Sequence, residues 1–278
     1  MAIDAPHTSF PEADAPLPNR ESYSSLTTYE YCPQRYAFRY VERLPGEFPP
    51  GQFAFGSAIH KAFEVFVREQ IRAGTDGAPG PGLDVLQQAS NDALARAGLE
   101  SEELARMLAA TGPVLERFRQ REAASVSVPV AAELGFGIDV ALPAEGVSVR
   151  FVGYVDRVDR APDGSTVITD YKTGRPRAQA EVDADRQLTA YAYAADRGAL
   201  RDPSSGVAVP PASRLCLYFA DGTEVWTTRT AGDLAAFEHD LAAMATLARR
   251  REFDPRPAPG RCRWCEYRGT CSDAIVNP

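Results

Sequence analysis

The sequence predicts a mixed α/β protein in which helices come first and a sheet with one embedded helix follows. Three observations carry this. Apolar residues recur at helical spacing up to about residue 123, and the period then switches to two from Pro129 onward. Turn-forming pairs, Asp163-Gly164 and Asp221-Gly222, separate the alternating runs. Of 278 residues, 44% are hydrophobic and 24% charged, an ordinary balance for a folded chain.

Residues 1–20 are rich in Pro, Asp and Glu and lack an apolar core, so they read as a disordered leader rather than a signal peptide. No apolar run is long enough to span a bilayer, and the cytoplasm is the expected compartment. A helix is expected over 22–44, capped by Ser22 or Ser24, with Leu26, Tyr29, Tyr36 and Tyr40 as an aromatic-rich stripe. Pro45 to Gly51 breaks it. A second helix over 55–74 puts Ile59, Phe63 and Phe66 on one face, and two more follow near 83–97 and 101–123. Alternation predicts strands over 129–142, 147–161 and 165–174, the last two joined by the turn Pro-Asp-Gly-Ser. A helix over 183–198 stops at Gly198. A second hairpin turns at Asp221-Gly222, a long helix starts at Ala231, and the tail is dense in cysteine.

The net charge of −8 argues against a broadly basic surface. Residues 245–271 depart from it, with seven arginines against Glu252, Asp254 and Glu266. This arginine-rich segment could line a nucleic-acid groove.

The chemistry concentrates on the 147–174 hairpin. Asp170 and Lys172 are two apart on one strand and share a face. An isolated Asp-x-Lys is usually a surface ion pair, so the neighbouring strand matters. A strict two-residue loop at Asp163-Gly164 would set Asp156 opposite Tyr171 and turn Asp170 away. An odd-length loop or a β-bulge would set Asp156 opposite Asp170, and one of these devices is expected. Paired carboxylates hold hard cations such as Mg²⁺ or Mn²⁺. With Lys172 beside the developing charge, the set suits phosphodiester hydrolysis.

Cys216 lies in a buried-strand pattern and reads as a small core residue. Cys262, Cys265 and Cys271 follow C-x2-C-x5-C, and with Cys32 they suggest metal ligation in a cytosolic chain. Spacing leaves zinc and an iron–sulfur cluster open, zinc being the commoner.

The run "GYVDRVDR", a short turn and "VITDYKTG" resembles the catalytic hairpin of the PD-(D/E)XK nuclease superfamily. It is most similar to the RecB-like branch, which includes the AddB nuclease domain and CRISPR-associated RecB-like exonucleases. Tyr-Val-Asp stands at 154–156 where the superfamily usually has Pro-Asp. The resemblance implies a restriction-endonuclease-like α/β core, a central mixed sheet flanked by helices, with an N-terminal helical segment and a C-terminal iron–sulfur staple. It implies one nuclease domain over 21–278: a helical part 21–125, a catalytic sheet core 126–252 and a cluster-binding tail 253–278. His60, Asp156, Asp170 and the Tyr171 backbone carbonyl would hold Mg²⁺ or Mn²⁺. Lys172 would act on the attacking water, and Glu133 would support the site. Gln187 and Tyr191, one helical turn apart, would position the DNA. Cys32, Cys262, Cys265 and Cys271 would hold a 4Fe-4S cluster. Tyr31, Tyr36, Phe38 and Tyr40 could stack on bases, but packing around the cluster is the expected role.

The implied activity is a single-strand-preferring DNA exonuclease of repair or recombination. No G-x-x-x-x-G-K-[ST] occurs, so a helicase would be a separate protein. Two alternatives remain: a non-catalytic DNA-binding or assembly subunit with this fold, and a zinc-stapled phosphodiesterase acting on RNA or nucleotides.

Overall fold

A computed structural model describes residues 16–48, 51 and 53–275. The expected leader lies mostly outside the described residues. Six strands form a mixed sheet: β1 (Arg20–Ser22), β2 (Val128–Leu142), β3 (Val147–Arg160), β4 (Thr166–Lys172), β5 (Ala212–Phe219) and β6 (Glu224–Thr227). The order is β1-β3-β4-β5-β6, with β2 paired to β3. β3 and β4 are antiparallel, as are β5 and β6, while β4 and β5 run parallel. The helices are α1 (Tyr23–Tyr31), α2 (Pro33–Tyr36), α3 (Ala54–Asp76), α4 (Leu83–Ala95), α5 (Ser101–Ala124), α6 (Gln179–Asp183), α7 (Arg186–Asp196), α8 (Ala231–Arg249) and α9 (Pro259–Cys262). No helix of the described residues is long and apolar enough to cross a membrane.

The chain divides into two compact units interleaved in sequence. One comprises the described parts of Met1–Phe48, Asp139–Val152 and Glu238–Pro278; the other comprises those of Pro49–Ile138 and Gly153–Phe237.

In the first unit the single helix expected over 22–44 is broken. Ser22 and Ser25 form a reciprocal capping box at the start of α1. The helix stops at Cys32, whose φ of −160° and ψ of 111° are extended. The cause is Pro33. Its ring crowds the preceding residue out of the α region, while proline itself is well placed at the first position of α2. A π-helical turn, Ala37–Val41, follows. Tyr36 and Phe38 are buried, so they pack rather than offer faces for stacking. β1 went unforeseen: three residues pairing parallel with Arg150–Val152 leave no local signal.

In the second unit α3 buries Ile59, Ala62, Phe63, Phe66 and Val67, and Gly77 ends it at a φ of 65°. This stripe packs with Phe118 of α5 and with Tyr171 and Tyr218 of the sheet. The Phe63 and Phe118 rings stack at 3.7 Å. Cys216 is fully buried in this core. The helix expected over 183–198 is α7, which starts only at Arg186 because Asp185 caps it by accepting from Leu188 N at 2.9 Å; the short α6 before it was not expected.

The same sheet face carries a buried ionic network. Arg157, 1% exposed, donates to both Asp159 oxygens at 2.8 Å and to Glu122 Oε1 at 2.6 Å. Arg121 donates to Glu122 and to Glu224, each at 2.7 Å. Arg157→Met strands the buried Asp159 carboxylate and leaves Glu122 with Arg121 alone, so it is expected to destabilise by about 3–5 kcal/mol. Urea denaturation at constant m-value checks this.

Candidate active site

The β3–β4 hairpin has an odd-length loop. Gly164 N donates to Ala161 O, and Ala161 N to Ser165 O, both at 2.9 Å. Pro162, Asp163 and Gly164 therefore form the loop, with Gly164 at a φ of +83°. This is a type I turn closed by a left-handed residue: proline suits its second position and glycine its last. The register pairs Arg157 with Thr169 and Arg160 with Thr166. Carried one step past its last ladder pair, this register sets Asp156 opposite Asp170. The two carboxylates share a face with Lys172, which is the geometry that the expected loop parity requires.

All the sequence-predicted groups of this site lie in the second unit and converge. Asp156 Oδ2 accepts from Tyr171 N at 2.8 Å and lies 3.5 Å from His60 Nδ1. Ligand atoms of His60, Glu133 and Asp156 lie within 4.8 Å of one another. The Tyr171 carbonyl is within hydrogen-bonding reach of the His60 imidazole. Lys172 Nζ sits 2.6 Å from Asp170 Oδ2 and donates to Gln187 Oε1 at 2.8 Å. Gln187 Nε2 donates to Tyr191 OH at 2.8 Å, and Tyr191 OH to Asp170 Oδ1 at 3.3 Å. Gln187 and Tyr191 thus close a ring with Lys172 and Asp170.

Local backbone explains two placements. Gly56 opens α3 against Thr173, whose Oγ1 would lie 3.3 Å from a Cβ there; this close approach brings His60, one turn on, to the strand ends. Glu133 has a φ of +50°, uncommon for a non-glycine residue inside a strand. The local kink re-aims its carboxylate towards His60 and Asp156.

The electrostatics favour a cation. Burial, then the Asp170 charge, pushes the Asp156 carboxyl well above the ordinary range, although the Tyr171 N–H opposes this. Burial raises Glu133, and Glu64 adds to it. Burial lowers His60, leaving a neutral imidazole, the ligating form, at pH 7. Buried carboxylates with a neutral imidazole fit a divalent ion.

The four cysteines other than Cys216 line one recess in the first unit, together with Arg35, Arg256, Arg261 and Arg268. The tail is held there by its own contacts. Buried Glu266 pairs with Arg35 at 2.7 Å, and Tyr267 OH donates to Leu44 O at 3.2 Å. Among the described residues no three of these sulfurs lie within 4.8 Å of one another. A tetrahedral zinc site with bonds of ~2.3 Å would set them about 3.8 Å apart. Four thiols with flanking guanidiniums are a donor set suited to an anionic metal–thiolate group.

A model of the PD-(D/E)XK nuclease superfamily matches residues 20–272. The chain belongs to the PD-(D/E)XK nuclease superfamily. Nucleases of this superfamily use divalent metals and act on nucleic acid, in keeping with the His60, Glu133 and Asp156 group. A crystal structure from Eubacterium rectale described as "Putative exonuclease" is 13% identical, with a TM-score of 0.50, and the match covers 100% of this chain and 96% of that one. The structure of SSO0001 is also 13% identical, with a TM-score of 0.38, and the match covers 81% and 97% respectively. No curated protein matches.

Two residues near these groups escaped sequence reasoning. Glu64 lies one helical turn after His60 and influences Glu133; its i+4 spacing was the available signal. Tyr154 precedes Asp156 by two on β3, and strand alternation alone places it on the same face.

Proposed function

We propose that this chain is a RecB-like, metal-dependent deoxyribonuclease that hydrolyses single-stranded DNA as an exonuclease and carries a 4Fe-4S cluster. The observation that supports it most is Asp156 set opposite Asp170 on one sheet face, with Lys172 and His60 beside them. His60, Asp156, Asp170 and the Tyr171 carbonyl would hold Mg²⁺ or Mn²⁺, with Glu133 as a further or water-mediated contact. The ion would polarise the phosphate and acidify a bound water. Lys172, held by Asp170 and Gln187, orients the attacking water and stabilises the negative charge that grows on the phosphoryl oxygens. The water oxygen bonds to phosphorus as the bond to the leaving nucleotide oxygen breaks. Gln187 and Tyr191 keep Lys172 and Asp170 in register with the phosphate. The four thiols flanked by guanidiniums support a metal–thiolate centre, and the RecB-like resemblance favours iron–sulfur over zinc. A role in repair or recombination, with a separate helicase, follows from the RecB-like resemblance.

End-labelled single- and double-stranded DNA incubated with Mn²⁺ tests this. Stepwise loss of nucleotides from single strands supports the reading. Binding without cleavage would favour the assembly-subunit alternative, and cleavage of RNA alone would favour the phosphodiesterase.

Metal affinity should fall with pH. The raised Asp156 carboxyl still holds its proton at pH values where an ordinary carboxylate has lost it, so an incoming cation must displace that proton. His60, lowered, stays neutral and contributes little above pH 6.5. Calorimetric titration with Mn²⁺ at pH 5.5 and 7.5 should show weaker binding at the lower pH, by up to roughly tenfold per unit for each proton displaced. Equal affinity at both would contradict a buried, proton-holding Asp156.

A further inference from the structure

The hairpin presents an aromatic side chain that the proposed chemistry does not use. Tyr154 is 66% exposed, although it lies in β3 only two residues from Asp156, which is 9% exposed. Strand alternation puts both on one face, about 7 Å apart along the strand. Val155, Arg157 and Asp159, on the other face, are buried. The ring rests against Gly135 of β2: a Cβ there would meet Tyr154 Cε1 at 3.2 Å and Cδ1 at 3.6 Å. The absence of a side chain at 135 lets the ring settle against the β2 backbone. Among the described residues no hydrogen bond or ion pair engages the hydroxyl.

From this juxtaposition we propose that Tyr154 is a stacking subsite for one unpaired nucleobase of the strand being cleaved, next to the phosphate held at Asp156, Asp170 and Lys172. This rests on the nuclease reading above and deepens it. A base within a duplex is stacked on its neighbours and offers no free face, whereas an unpaired base has one. An exposed ring one same-face step from the carboxylates therefore favours single strands and sets the register of the backbone. A purely structural role also exists on paper, because an aromatic ring across from a strand glycine shields that glycine's backbone. Tyr154 is a positioning residue in either case, and the two roles respond differently to the substrate.

The full chain is titrated with a fluorescein-labelled, phosphorothioate-linked dT12 in Mn²⁺, and anisotropy is read. A second series carries a single abasic residue moved along the strand. Stacking predicts that Tyr154→Ala weakens binding of the intact oligonucleotide by about 5- to 150-fold, and that Tyr154→Phe leaves it unchanged. At one abasic position wild type should lose the same factor, and Tyr154→Ala should lose nothing more. The abasic scan on wild type needs no variant, so misfolding of Tyr154→Ala cannot mask the answer. Wild type that binds every abasic oligonucleotide as tightly as the intact one overturns the subsite and leaves the nuclease reading standing. So does a Tyr154→Ala loss that is equal on all of them. Wild type that neither binds nor cuts any strand overturns the nuclease reading itself.

Discussion

Lys172→Ala is expected to lower the rate of Mn²⁺-dependent hydrolysis of single-stranded DNA by about 10²–10³-fold, the usual cost of removing one donor aimed at transition-state charge. The ammonium is fixed at 2.6 Å from Asp170 Oδ2 and 2.8 Å from Gln187 Oε1, so its orientation is set before substrate arrives. Removing it leaves the carboxylates in place and takes away a competing cation beside Asp170. Manganese affinity, read by calorimetry, should therefore hold steady or rise while kcat falls. A loss confined to KM would mean that Lys172 binds substrate without acting in the chemical step. Lys172→Arg should not rescue, because a planar guanidinium cannot keep the point-charge contacts to both Asp170 and Gln187. Equal cutting by wild type and Lys172→Ala would remove the site assignment altogether.

Cys32→Ser is expected to have the largest effect on stability. Cys32 and Cys262 are separated by some 230 residues, so a shared cluster would close a very long loop. Treated as a cross-link, such closure is worth about 5 kcal/mol of unfolded-state entropy. The tail keeps other anchors, Glu266 to Arg35 at 2.7 Å and Tyr267 to Leu44 at 3.2 Å, so the first unit should loosen rather than vanish. Anaerobically purified wild type should absorb near 400 nm and contain iron. Cys32→Ser should lose both and melt at lower temperature. Cys216→Ser serves as the control: that thiol is buried in the core of the other unit, and its replacement should leave the iron content unchanged. Stoichiometric zinc without iron in wild type would overturn the cluster.

Much of the candidate site's geometry was legible because its rules are local. Asp170 and Lys172 share a face by strand alternation, and the demand that Asp156 meet Asp170 translated into a loop parity that Pro162-Asp163-Gly164 satisfies. The break at Cys32 was equally local, since Pro33 excludes the preceding residue from the helix, but the aromatic stripe across 22–44 outweighed it in the sequence reading. Arg157 was beyond reach. Its partners Glu122 and Asp159 are ordinary charged residues until the fold buries them together.

The sequence by itself determined the identity and order of the chemical groups, the elements that carry them and the face each occupies, because helical and strand periodicity act over a few residues. Only the tertiary structure decided that His60 reaches Asp156, that Glu133 turns inward at a φ of +50°, and that Tyr154 stays exposed over Gly135. Those facts depend on which distant backbones approach one another. Close packing of the whole chain sets that, and no local propensity encodes it.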